Sequence, residues 1–119
     1  MEPKFTDAYH LLEYARESGR LDLLSSQLQK DFERASISFP FQIFEAAEPD
    51  SRELFQALRE SLYVLLMEHF DQYLNLMYAV DVPEREFKSV EGTDAVEVAT
   101  QVTFILLKRE WKKIEYRAR

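Results

Sequence analysis

Cysteine is absent from this chain of 119 residues. That excludes a disulfide framework, a thiolate metal site and a cysteine nucleophile, and it suits a reducing compartment. Glycine occurs twice and proline four times. A many-stranded sandwich or barrel needs frequent turn residues, so such scarcity argues against one. Gly19 and Gly92 alone cannot build a nucleophile elbow, a phosphate-cradling loop or a dinucleotide fingerprint. With His10 and His69 as the only histidines, no multi-histidine catalytic site can form. The longest unbroken apolar run, Leu62-Tyr63-Val64-Leu65-Leu66-Met67, is far below the ~20 residues that span a bilayer. The opening residues Met1-Glu2-Pro3-Lys4-Phe5-Thr6-Asp7 lack the basic start and apolar stretch of a secretory signal. The expectation is a soluble, cytoplasmic chain with no membrane segment.

What is present is helical periodicity and charge. The length suits one domain over 1–119, and 46% hydrophobic with 31% charged residues reads as globular. The predicted fold is all-α, an irregular bundle of about five helices. It is built around a long central helix (51–79) and a C-terminal helix (94–117), which form the core pair.

The first helix is expected over 6–18, capped by Thr6 or Asp7 and ended by Gly19 in a left-handed conformation. The second runs from Leu21 to Ala35, where Leu21, Leu24, Leu28 and Phe32 make the apolar stripe and Gln27, Lys30, Asp31 and Arg34 face water. Over 36–48, Ile37, Phe39, Phe41 and Ile43 alternate with polar residues and Pro40. That pattern predicts a bulky connector, extended at first and able to turn helical from Phe41.

Three Asp-x-x-Glu starts follow, at Asp50, Asp81 and Asp94, each an N-cap acceptor with Glu at the third helical position. They open the central helix, a short helix to about Val90 that Gly92 can end, and the C-terminal helix. The run 62–67 is apolar on every side, which places protein all round it.

The net charge is −7. Residues 108–119 oppose it, with Lys108, Arg109, Lys112, Lys113, Arg117 and Arg119 against Glu110 and Glu115. Cations interleaved with Trp111 and Tyr116 suggest a nucleic-acid or phosphate surface. The acidic body repels phosphate, and cations also offset the negative end of a helix, so nucleic acid is disfavoured as a partner.

A carboxylate-rich bundle also raises metal chemistry. The Glu-x-x-His pairs of di-iron bundles are missing; only His10 with Glu13 and Glu68 with His69 offer neighbouring ligands. No cofactor and no catalytic residue is assigned on these patterns. Nine Phe, six Tyr and one Trp exceed what one small core would be expected to hide. Aromatics are enriched at interfaces, and Phe39, Phe41, Tyr63, His69, Tyr73 and Trp111 are the candidate interface or pocket residues. The leading expectation is a non-enzymatic protein-interaction module, self-associating as a homodimer through the 51–79 helix or the 37–44 segment. The competing expectation is a metal- or small-ligand-binding helical bundle that could act as an enzyme. In it Tyr63, His69, Tyr73 and Trp111 would line a gap between the two long helices.

Overall fold

A computed structural model describes residues 4–90, 92 and 94–117. Their regular structure is all helical: α1 (Ala8–Glu17), α2 (Leu21–Arg34), a 3-10 turn (Phe41–Glu45), α3 (Ser51–Glu68), α4 (Phe70–Val80), α5 (Glu84–Lys88) and α6 (Ala95–Arg117). The chain packs into 34 × 29 × 27 Å. Its radius of gyration of 13.4 Å matches the value of about 13.5 Å for a fully collapsed chain of this length.

Local chemistry sets most boundaries. Asp7 accepts from the His10 amide at 2.8 Å, Asp50 from Arg52 at 2.9 Å and Asp94 from Glu97 at 2.8 Å. Each carboxylate satisfies a first-turn donor that has no partner within its helix. Gly19 closes α1 with φ of 72°, its amide reaching Arg16 O while that of Arg20 reaches Ala15 O. This is the Schellman arrangement. Ser36 closes α2 the same way, at φ 59°, with Ile37 N bonded to Phe32 O.

Two boundaries differ from expectation. The Asp81 box is not a cap: Asp81 ends α4 in a left-handed conformation (φ 70°), and α5 starts behind Pro83 without a side-chain cap. The short helix also stops at Lys88, ahead of Gly92. The stretch 51–79 is all helical but for one residue, His69, which at φ −141° and ψ 60° separates α3 from α4. The spacing explains the break. Positions 51, 54, 58, 62, 65, 69, 73, 76 and 80 follow one helical stripe, and in an uninterrupted helix His69 would lie on its apolar face. Breaking there leaves His69 exposed while Leu65 and Tyr73 on either side remain buried.

The core gathers Leu11, Leu12, Leu24, Leu28, Phe32, Leu54, Leu58, Leu62, Leu76, Met77 and Leu106, all fully buried. α3 and α6 share the most extensive helix–helix contact, with α1 and α2 against α6 as well and α4 against α2 and α6. The connector lies over α2: Phe39 and Phe41 meet the Phe32 ring at 5.6 and 5.4 Å, and Phe44 is buried beside them. The aromatic run of 39–44 therefore serves this chain's own core. The helical run 62–67 is less enclosed than its composition suggests, because Val64 and Met67 remain exposed.

Candidate anion-binding groove

Three helix ends meet at one side of the molecule. Gln27, Lys30 and Arg34 fall at steps of three and four on α2, so they share a face. Arg109, Lys112, Lys113, Tyr116 and Arg117 repeat the pattern on α6. With Tyr78, Ala79 and Asp81 from the end of α4, they line a groove of about 890 Å³. Six of the chain's 15 Lys and Arg are in this lining, and Asp81 is its one carboxylate.

Behind the lining lies a buried charge cluster. Asp31 and Glu110 are both fully buried. Lys113 Nζ reaches Asp31 Oδ2 at 2.8 Å and Glu110 Oε1 at 3.3 Å, while Gln27 Nε2 donates to Asp31 Oδ2 at 3.1 Å. Arg34 approaches the other Asp31 oxygen at 3.8 Å. Two carboxylates cannot both ionise cheaply in so small a buried volume. Burial, then the neighbouring Asp31, pushes the Glu110 carboxyl up to about 9. Burial acts on Asp31 in the same direction, but its bonds to Glu110, Lys113 and Gln27 outweigh it and hold Asp31 below the usual range. At neutral pH, Glu110 is the proton donor and Asp31 the carboxylate that accepts.

The cluster, together with Arg109 of the lining, contains all the buried side-chain polar atoms that lack a hydrogen-bond partner among the described residues: Gln27 Oε1, Asp31 Oδ1, Arg109 Nε and both Glu110 oxygens. Glu110 protonation supplies a donor for Asp31. Gln27 Oε1 and Arg109 Nε stay unpaired, and unpaired buried groups collect where a protein trades stability for a task.

The lining cations are unevenly committed. Lys113 belongs to Asp31, and Arg109 Nη2 bonds Asp81 Oδ2 at 2.9 Å. Among the described residues Lys30, Lys112 and Arg117 have no ion pair. The ends of α2, α4 and α6 each bring about half a negative charge to this side. Six cations exceed those helix ends and two carboxylates together, so the groove is positive on a chain that is otherwise acidic.

The candidates named from sequence are scattered over the molecule. Phe39 and Phe41 pack on Phe32. Tyr63 is half-buried in a small depression with Gln56, Arg59, Glu60 and Val96. His69 is exposed at the α3–α4 break. Tyr73 is buried between Phe70 and Phe87, and burial pushes its hydroxyl up to about 12. Trp111 is buried against Phe5 and Tyr14, its indole N–H donating to Glu115. None of these residues lines the groove. Of the potential metal pairs, His10 and Glu13 have other partners: Glu13 accepts from Arg16 at 2.7 Å and Ser51 at 2.9 Å, while His10 Nδ1 accepts from the Thr6 amide at 3.3 Å. Among the described residues no group of three or more His, Asp or Glu is placed to hold a metal ion. No helix among them is long and apolar enough to cross a membrane.

Half of the groove was visible in the sequence as the basic stretch after Leu107. The other half, Lys30 and Arg34, carries no local sign of its partnership with that stretch. Asp31 and Gln27 were expected to face water and are buried instead. A signal existed for the carboxylates: Asp31 continues the 21, 24, 28 stripe, and Glu110 falls between Leu106 and Ile114 on the apolar face of α6.

Comparison with known protein families, curated proteins and solved structures finds no match.

Proposed function

We propose that the chain is a single-domain, non-enzymatic binding module whose recognition surface is this groove, and that its partner is anionic. The observation that carries the reading is the convergence of six cations from two helices on one groove of a chain with net charge −7. Compensation of helix ends alone would need far less positive charge. Placing three unpaired cations side by side costs repulsion that an anion relieves. The unsatisfied polar atoms behind the same lining support the assignment.

Titration calorimetry with inorganic triphosphate tests it. Binding should weaken steeply with added salt, and Lys30→Glu with Lys112→Glu should lower affinity at least tenfold. Binding indifferent to both changes removes the proposal.

A second reading, self-association, rests on a different surface. Met67 is 58% and Phe70 54% exposed, next to exposed Val64 at the α3–α4 break. The 37–44 segment is occupied in covering α2, which leaves this break as the surface for a second copy or a protein partner. Light scattering at increasing concentration, with Met67→Glu as the control, separates a dimer from a lone chain.

A further inference from the structure

We propose that the anion taken by the groove is a nucleoside polyphosphate, with its phosphates among Lys30, Arg34, Lys112 and Arg117 and its base against Tyr78. The inference rests on the anionic-partner reading above and narrows it to one ligand class. Its first ground is extent. Gln27 to Arg34 rises roughly 10 Å along α2, and Arg109 to Arg117 roughly 12 Å along α6, at 1.5 Å per residue. That is room for a chain of phosphates and little more. A longer polyanion would run out of the groove over the rest of a chain whose net charge is −7. Repulsion there disfavours nucleic acid while leaving a compact ligand untouched. The volume of about 890 Å³ also falls within the range of small-molecule sites.

The second ground is Tyr78. Its ring is 55% exposed at the groove wall, yet it is held. The hydroxyl donates to Glu84 Oε1 at 3.1 Å, and Phe87 meets the ring in a T-shaped contact at 6.3 Å. Glu84 is in turn paired with Lys88 at 3.2 Å. A fixed, exposed aromatic beside a cluster of cations offers a stacking platform to a base while arginine forks engage phosphate oxygens. An acidic peptide would use the cations and leave the ring without a role.

Calorimetry on the full chain, without divalent cations, would compare adenosine triphosphate, inorganic triphosphate, a short single-stranded RNA and an oligoglutamate peptide. The expected result is adenosine triphosphate about tenfold tighter than inorganic triphosphate, the order of gain that one stacked base contributes. Tyr78→Ala should erase that factor, with an unchanged far-ultraviolet circular dichroism spectrum showing that the variant folds. Tyr78→Phe should keep it. Equal affinity for the two phosphates overturns the nucleoside assignment and leaves the anion groove standing. Binding of RNA or oligoglutamate without either phosphate compound also overturns it, and leaves a groove for a macromolecular anion. Failure of all four ligands removes both readings.

Discussion

Lys113 Nζ lies 2.8 Å from Asp31 Oδ2, a contact between residues 82 positions apart that ties the end of α6 to the last turn of α2. It fixes one wall of the groove against the other, and Glu110 sits beside it as a neutral acid. The cationic groove depends on that neutrality, because an ionised Glu110 would place a second negative charge behind the lining.

Glu110→Gln copies the protonated carboxyl and should leave stability within about 1 kcal/mol of the native chain, as isosteric neutral replacements in a buried network do. Asp31→Asn should cost more, about 1–2 kcal/mol, partly offset because Glu110 then ionises and takes over Lys113. The double variant strands Lys113 and should cost at least 1 kcal/mol beyond the sum of the singles. Urea denaturation of all four proteins reads the cycle; additive losses would separate Lys113 from both carboxylates.

Glu110 should make stability fall as pH rises from about 5 to about 9. Between the ordinary value of 4.5 and about 9, folded Glu110 holds a proton that the unfolded chain has released. The slope cannot exceed roughly 1.4 kcal/mol per pH unit for one group. Asp31, held low, acts oppositely: its contribution is present above its ordinary value of 3.8 and is lost as pH falls below it. Denaturant midpoints from pH 5 to 9 check this, with Glu110→Gln expected to flatten the decline across that range (the pH limits being about those of the two Glu110 values).

Ser36→Gly should stabilise the chain by about 0.5–1 kcal/mol. Ser36 sits at φ 59°, where a side chain crowds the backbone and glycine does not. Ser36→Val should destabilise by more than that, because β-branching worsens the same clash. Thermal midpoints moving in opposite directions for the two variants are the expected result.

Within the run 62–67, cost should follow burial rather than hydrophobicity. Leu62 is fully enclosed and Met67 faces outward. Leu62→Ala should cost about 3 kcal/mol, and Met67→Ala should stay within about 0.5 kcal/mol, read by denaturant unfolding at low protein concentration. A large loss at Met67 that shrinks with dilution would instead mark a subunit interface.

The helices themselves were legible because helix information is local. Stripes at steps of three and four, with capping Asp and terminal Gly where they occur, place α1, α2 and α6 within a few residues of their observed ends and fix the start of α3, since capping and periodicity involve neighbours within one turn. Even the break at His69 had a local trace, a histidine on a stripe otherwise reserved for apolar side chains. Asp81 shows the limit of such traces. The same Asp-x-x-Glu that caps α3 and α6 here follows a helix end, and the left-handed turn claims its backbone while Arg109 claims its carboxylate.

The groove lay beyond that reach. Nothing near Lys30 says that Lys112 will stand beside it, and nothing near Asp31 says that Lys113 will reach in to neutralise it. Those pairings come from how α2, α4 and α6 pack, a choice made by the whole core at once. A repeat of 3.6 residues tells each helix which face to bury. Which face of which other helix it meets, and so which surface charges become neighbours, is settled only when all the buried faces are satisfied together.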